Sequence, residues 1–86
     1  MNENKKDNLR YEIDLRKPMA PDYLEKVVKA VSRGIPCALR DLFLKSIVDI
    51  RLENEGMKIV LEFNEDEAFR ASQFTLMIRT NLKNGR

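Results

Sequence analysis

The chain has 86 residues, 43% of them hydrophobic and 35% charged, which suits one folded domain with a core of barely sufficient size. Its 16 basic and 14 acidic residues leave a net charge of +2, far less than a nucleic-acid-binding domain usually carries. The absence of histidine and the presence of one cysteine, Cys37, exclude His-dependent catalysis, the common zinc sites and an internal disulfide.

The ends of the chain and its cysteine indicate a cytoplasmic protein. No segment approaches the roughly 18 consecutive apolar residues of a membrane span, and the polar beginning MNENKKDN does not resemble a signal peptide. We predict a mobile arm over residues 1–8, a single domain over 9–83 and a tail over 84–86. Cys37 fits a reducing compartment, and we expect it to be a small buried hydrophobe.

A strand and a helix are predicted in the first third of the chain. In YEIDLR, residues 11–16, every second residue is apolar, the pattern of a half-buried strand. In PDYLEKVVKAVSRG, residues 21–34, apolar residues recur three and four apart, as on one face of a helix. Asp22 with Glu25 resembles a capping box at the start of this helix, although Pro21 at the first helical position could shift the cap by one or two residues. Gly34 predicts a left-handed residue at the end of the helix.

The middle of the chain predicts a short helix and a hairpin. Apolar residues at helical spacing in residues 35–45 favour a short helix over an irregular crossing. Residues 46–53 and 57–63 each alternate apolar and charged side chains around the NEG turn at 54–56, the signature of a hairpin. In the first of these strands the residues predicted to face the core are Val48, Ile50 and Leu52.

The last predicted helix has apolar residues on two faces. It begins at Asn64, which forms an Asn-x-x-Glu capping box with Glu67. At about 100° per residue, the face that meets the core carries Ala71, Phe74, Ile78 and Leu82. The nearly opposite face carries Phe69, Gln73, Leu76 and Thr80. A helix that packs on a single core needs apolar residues on the first face only. The apolar residues on the second face therefore indicate a partner protein.

The element order is therefore β-α-(short α)-β-β-α, and the predicted fold class is α+β. We expect a three-stranded antiparallel sheet with its helices on one face. The other face of the sheet carries Val60 and charges of both signs, which predict a solvated ladder of ion pairs. The acids of that ladder are Asp14, Asp49, Glu53 and Glu62, and its bases are Arg16, Arg51 and Lys58. The same acids are the candidates for a two-carboxylate catalytic site.

No motif for catalysis or cofactor binding is found. The three glycines are accounted for by caps and a turn, and there is no phosphate-binding loop, dinucleotide fingerprint or GxxG loop. We therefore expect no enzyme activity, no cofactor, no metal and no membrane insertion. The predicted partner-binding surface consists of Val60, Phe69, Gln73, Leu76 and Thr80. The segment with Leu39, Leu42 and Phe43 is also more apolar than one small core requires. The alternative for this surface is that Phe69 folds under the first helical turn and Leu76 packs against residues 35–45.

A second function of a different class is a small nucleic-acid-binding domain. It would use basic residues near the two ends of the chain, namely Lys5, Lys6, Arg10, Lys83 and Arg86. With so small a net charge, we expect direct nucleic-acid binding to be weak or absent.

The segment EDEAFRAS, residues 65–72, resembles the closing helix of a known family. This is the family of the small dimerisation subunit of the KEOPS complex, to which the cancer/testis antigen-type proteins of animals belong. The other possibility is a diverged archaeal paralogue of that subunit. Members of the family have a strand, a helix, a hairpin and a closing helix with a Leu-Arg-Ala-Ser-like run. The residues that match this run are Phe69, Arg70, Ala71 and Ser72. The resemblance spans about residues 9–83.

The resemblance implies a non-catalytic subunit in a homodimer or heterodimer. Such subunits dock by their helices on the large ATP-using subunit that makes threonylcarbamoyladenosine in tRNA, and nucleotide and metal belong to that partner. Phe69, Arg70, Leu76 and the first helix would then be contact residues. Arg70 also has a simpler interpretation, as a solvated side chain that pairs with Asp66 one turn earlier.

Overall fold

The computed structural model describes residues 8–84. The order of its helices and strands matches the sequence prediction. The elements are β1 (Leu9–Asp14), α1 (Pro21–Arg33), α2 (Cys37–Ser46), β2 (Ile47–Glu53), β3 (Lys58–Phe63), a 3-10 turn (Glu65–Glu67) and α3 (Ala68–Asn84). Strand β3 lies in the centre and pairs antiparallel with β1 and β2. The α+β fold is confirmed, as is a helix in the 35–45 region. The predicted arm and tail fall mostly outside the described residues.

The core lies between one face of the sheet and the three helices. Strand β3 contributes Ile59, Leu61 and Phe63, and α3 contributes Ala71, Phe74 and Ile78, all of them fully buried. The ring of Phe63 stands edge-on to that of Phe74, with centroids 6.2 Å apart, a favourable aromatic geometry. Because one face of α3 is completely buried, its opposite face is directed away from the core.

Strand β2 contains a bulge that changes the direction of one predicted core residue. The register with β3 shifts between Ile47 and Asp49, which makes Val48 an extra residue in β2. Val48 leaves the alternation and is 47% exposed. The prediction that it faces the core is therefore wrong, whereas Ile50 and Leu52 do pack against the core.

The start and end of α1 differ from the predicted caps. Ala20 is the N-cap residue and makes no side-chain cap, so the predicted box of Asp22 with Glu25 is wrong. Pro21 takes the first helical position, where its missing N–H leaves one fewer donor to satisfy. Gly34 has φ of −78°, in the right-handed region, so the predicted left-handed cap is also wrong.

Arg40 on α2 closes the carboxyl end of α1 instead. Its Nε donates to the carbonyl oxygen of Ser32 at 2.9 Å, and its guanidinium also donates to the carbonyl oxygens of Ile35 at 3.0 Å and Arg33 at 3.3 Å. A guanidinium carries five donors in a fixed plane, so one side chain satisfies several carbonyl groups at a helix end. No local pattern in the sequence indicates this interaction.

The start of α3 also differs from its predicted cap. A 3-10 turn precedes the helix and Asn64 makes no side-chain cap, so the predicted box of Asn64 with Glu67 is wrong. The amide of Asn64 donates instead to the carbonyl oxygen of Lys45 at 3.3 Å, and its backbone N–H donates to that of Ser46 at 2.9 Å. Asn64 therefore joins the end of β3 to the end of α2.

Helix α2 buries fewer of its apolar residues than expected. Cys37 is exposed in its first turn, so the prediction of a buried cysteine is wrong. The buried residues of this helix are Phe43 and Ser46, and the Ser46 hydroxyl donates to the Phe43 carbonyl oxygen at 2.6 Å. Cys37 lies about 120° around the helix from Phe43, away from the core.

Candidate protein-interaction surface

The outward face of α3 carries two large exposed apolar side chains. Phe69 is 72% exposed and Leu76 is 62% exposed, and Gln73 and Thr80 on the same face are also exposed. We call these four residues the α3 stripe. The alternative in which Phe69 and Leu76 belong to the core is therefore wrong, because the fully buried face of α3 lies on the other side of the helix.

Arg70 lies at the border of this stripe and is partly engaged within its own helix. Its guanidinium forms an ion pair with Glu67, three residues earlier. The side chain remains one-third exposed. Such a pair within one helix is worth only a few tenths of a kcal/mol, so the guanidinium remains available to a partner at low cost.

Val60 does not belong to an exposed surface. As predicted, it lies on the face of the sheet that does not carry the helices, opposite Glu12 on β1 and Arg51 on β2. Its exposure, however, is 0%. It is also not part of the core cluster beneath the helices. Long charged side chains flank it on both neighbouring strands, and such side chains cover apolar residues with their carbon chains. The prediction that Val60 is an exposed partner-binding residue is therefore wrong.

The ladder of ion pairs on this face is organised around Arg51. Its guanidinium lies 2.8 Å from Asp49, 2.9 Å from Glu53 and 3.4 Å from Glu62, measured between nitrogen and carboxylate oxygen. These hydrogen bonds, the one to Asp49 foremost, raise the pKa of Arg51. On the other side of β3, Glu12 pairs with Lys58 at 3.0 Å.

Arg10 extends the ladder at the edge of the sheet. It lies 2.8 Å from Glu12 and 3.2 Å from Glu53. The hydrogen bonds from Arg10 and Lys58 lower the pKa of Glu12, and the hydrogen bond from Arg51 lowers that of Glu53. A two-carboxylate site needs one acid that stays protonated near neutral pH. The pKa of Glu53, one of the four candidate carboxylates, is shifted in the opposite direction.

A groove lies beside the carboxyl-terminal half of α3 in the described part of the chain. Its apolar lining consists of Ile13, Leu15, Pro18, Met19, Ala20, Tyr23, Leu76 and Leu82. Its charged lining consists of Asp14, Arg16, Lys17, Arg79 and Lys83. Leu76 and Thr80 belong to both the groove and the α3 stripe, so the two surfaces are continuous.

No periodic pattern in the sequence indicates the groove. Its lining comes from the end of β1, the connection to α1, the first turn of α1 and the end of α3. The available signals were Met19, an apolar residue between two prolines, and Tyr23, which precedes the buried Leu24 on α1. Neither residue belongs to the apolar period of a strand or a helix, so the sequence pattern does not place the two residues on a common surface.

The basic residues of the nucleic-acid alternative do not form one patch in the described part of the chain. Lys5, Lys6 and Arg86 lie outside it. Arg10 is balanced by two carboxylates on the open face of the sheet, whereas Lys83 lines the groove beside α3. The two described members of the set therefore lie in different surroundings.

Three further findings concern metal binding, membrane-spanning helices and similarity to known proteins. Among residues 8–84, His, Cys, Asp and Glu side chains form no group of three or more that could hold a metal ion. In the same part of the chain, no helix is both long enough and apolar enough to cross a membrane. Comparisons with protein-family models, curated proteins and solved structures found no match to this chain.

Proposed function

We propose that the chain is a non-catalytic protein-interaction subunit of the cytoplasm, and that the α3 stripe is its contact surface. The observation that supports this is the exposure of Phe69 at 72% and Leu76 at 62% on one side of a helix whose other side is fully buried. Burying both side chains would contribute roughly 3–6 kcal/mol before the costs of association. An 86-residue chain with a small core gains from such shared burial.

The pairing of charges supports a binding role rather than a catalytic one. The carboxylates of Glu12, Asp49, Glu53 and Glu62 are paired with basic side chains. Catalytic acids and bases usually stand out by pKa values shifted toward neutrality. The resolved shifts of Glu12 and Glu53 are in the opposite direction.

The resemblance of residues 65–72 supports a more specific version of this proposal. In it, the chain is a KEOPS-like small subunit that dimerises and docks on the large subunit that makes threonylcarbamoyladenosine in tRNA. Phe69, Arg70 and Leu76 would contact that assembly, together with α1. Any nucleotide or metal would be bound by the large subunit, and this chain would stabilise or position it.

The proposal is tested by mixing the chain with the large ATP-using subunit encoded in the same genome. Complex formation is followed by sedimentation, and tRNA modification by incorporation of labelled threonine. We expect the double variant Phe69→Asp with Leu76→Asp to bind at least about 100-fold more weakly, which corresponds to the lower end of the burial energy. Val48→Asp is the matched control, since Val48 is an apolar residue that is 47% exposed on β2 and does not belong to the stripe.

Two results would contradict the proposal. The absence of any complex with the unaltered chain removes the KEOPS-like assignment. Binding of RNA by the chain alone, with an affinity that falls steeply as salt rises, would favour the nucleic-acid alternative instead.

A further inference from the structure

We propose that the groove beside α3 binds an acidic segment of another protein, in which carboxylate side chains flank a large apolar one. The proposed function places its partner on the α3 stripe, so this inference adds a second site with a ligand of its own. Of the two apolar residues of the stripe, Phe69 does not line the groove, and Leu76 is the first residue of α3 that does. From there the groove follows α3 as far as Lys83.

The charge of the groove is one-sided. Its lining contains four basic side chains and a single acidic one, Asp14. The basic side chains are Arg16, Lys17, Arg79 and Lys83, all of them exposed. The whole chain has 16 basic and 14 acidic residues, so the excess of positive charge is local to the groove. A surface of one sign attracts and orients a ligand of the opposite sign.

The basic side chains of the groove are available to a ligand. Within residues 8–84, Arg16, Lys17 and Lys83 take part in no ion pair of the folded chain. The guanidinium of Arg79 donates to the backbone carbonyl oxygen of Glu12 at 3.2 Å, which holds it in place while its other donors remain free. Carboxylates that enter the groove therefore meet cations that are not already paired.

The floor of the groove is apolar. Leu15, Met19 and Leu82 are half-buried and pack against the core cluster, and Tyr23 stands beside them with 42% of its surface exposed. A free phosphate ion or a run of carboxylates alone would leave this apolar surface in water. A large apolar side chain between the carboxylates removes it from water, and the ligand therefore needs both kinds of group.

The wall formed by the connection from β1 to α1 is fixed before any ligand binds. The backbone N–H of Leu15 donates to the carbonyl oxygen of Met57, and that of Met19 donates to the carbonyl oxygen of Gly56, both at 2.8 Å. Pro18 restricts the backbone between them. A preformed wall lowers the conformational entropy that is lost when a peptide binds.

The size of the groove suits a short peptide better than a single metabolite. Its volume of about 1180 Å³ is above the roughly 300–1,000 Å³ of typical small-molecule sites. From Leu76 to Lys83 it follows α3 for about 10 Å. Basic side chains stand on both walls, with Arg79 and Lys83 on α3 and Arg16 on the connection. A peptide of a few residues reaches both walls and the floor between them.

The same surface suits a nucleic acid less well. A continuous phosphate backbone calls for a larger basic surface than four side chains, and the net charge of the chain is only +2. Asp22, next to Tyr23 on α1, adds an exposed carboxylate near the groove. Asp14 lies opposite Lys58 in the register of β1 with β3, so a neighbouring lysine offsets part of its charge.

The test is fluorescence anisotropy of a labelled synthetic peptide titrated with the full chain in about 50 mM NaCl. The probe is the peptide DEELFEED, blocked at both ends, whose acids flank a leucine and a phenylalanine. We expect a dissociation constant on the order of 10–100 micromolar, raised at least about five-fold by about 300 mM NaCl. The peptide DEESSEED has the same charge but no apolar side chain, and it should bind at least about 10-fold more weakly.

Two double variants with the same change in net charge locate the site. Lys17→Glu with Lys83→Glu reverses one charge on each wall and should weaken binding of the probe at least about 10-fold. Lys29→Glu with Lys45→Glu is the matched control, because both lysines are exposed and neither lines the groove. It should weaken binding less than about three-fold. Tyr23→Ala should weaken it at least about three-fold, and circular dichroism verifies that each variant is folded.

The contrary results are distinct from those that contradict the proposed function. Absence of probe binding by the unaltered chain overturns the inference and leaves the α3 stripe as a partner surface. Equal weakening by the two double variants, or equal binding of the two peptides, overturns it as well. A uridine oligonucleotide that displaces the probe and binds more tightly would also overturn it, in favour of the nucleic-acid alternative.

Phe69→Asp separates the groove from the α3 stripe. This variant should bind the probe as the unaltered chain does, since Phe69 does not line the groove. A loss of probe binding as large as that of Lys17→Glu with Lys83→Glu would place the ligand on the stripe and overturn the inference. Normal probe binding by a chain that never binds the large subunit keeps the inference and removes the KEOPS-like assignment.

Discussion

The backbone N–H of Met19 donates to the carbonyl oxygen of Gly56 at 2.8 Å, and a Cβ placed on Gly56 would lie 2.8 Å from the carbonyl oxygen of Met19. The hairpin turn and the β1–α1 connection are therefore in direct backbone contact. Gly56 also has φ of +88°, a conformation that side chains rarely adopt. Since Met19 lines the groove, this contact also positions one wall of the candidate site.

Replacing Gly56 by alanine should destabilise the protein by about 2–3 kcal/mol, because it combines an unfavourable φ with a steric clash against backbone. Urea unfolding of Gly56→Ala measures the effect. Gly34→Ala is the control: Gly34 has φ of −78°, and its nearest contact would be an ordinary one at 3.4 Å. This variant should be neutral or more stable by about 0.5 kcal/mol. Equal losses in both variants would contradict the role assigned to Gly56.

Truncation to alanine should destabilise the protein more at Val60 than at Val48, although the sequence pattern predicts that Val48 faces the core and Val60 does not. Val60→Ala should cost about 1–2 kcal/mol, because Val60 is fully buried under the ion pairs and its truncation leaves a cavity. Val48→Ala should cost less than about 0.5 kcal/mol, because Val48 is displaced outward by the bulge. Unfolding free energies of the two variants test this order, and a larger loss at Val48 would contradict the register of β2.

Arg40→Ala should lower the unfolding free energy by about 1–2 kcal/mol, because the carbonyl oxygens at the end of α1 lose their charged donor. Arg40→Lys keeps the charge but lacks the planar arrangement of donors, so we expect it to recover no more than half of the loss. Urea unfolding gives both values. Full recovery by lysine would show that charge near the helix end, rather than the hydrogen bonds of Arg40, accounts for the stabilisation.

Stability should fall in acid as the ladder on the sheet loses its carboxylates. The pKa values of Glu12 and Glu53 are lowered from an ordinary value of 4.5 in the folded protein. Their contribution is therefore complete above pH 4.5 and is lost as the pH falls through the lower folded-state values. The double variant Glu12→Gln with Glu53→Gln should show a shallower decline of unfolding free energy between about pH 5 and about pH 3.

Salt provides the control for this pH dependence. Because the ladder is exposed to solvent, about 1 M NaCl should screen its ion pairs and bring the acid sensitivity of the unaltered chain closer to that of the double variant. If the two proteins differ equally at low and high salt, the difference does not come from the ladder.

Much of the fold followed from periodicity in the sequence. Alternation with a period of two located the strands, and recurrence at three and four residues located α1 and the two faces of α3. These patterns are local, since each depends on a few consecutive residues and on the geometry of one element. The exposed positions of Phe69 and Leu76 were predictable for the same reason, as was the α+β arrangement with charges on the open face of the sheet.

The sequence by itself thus determined the elements, their order and the direction of the α3 stripe, because backbone geometry converts local spacing into faces. The tertiary structure alone decided which residues those faces meet. Val60 is buried because Arg51 and Glu12 come from neighbouring strands, and Arg40 closes the carboxyl end of α1 because α2 folds back on it. The groove exists only where residues 13–23 meet the carboxyl-terminal half of α3. Contacts between residues far apart in the chain depend on packing geometry that no local period contains.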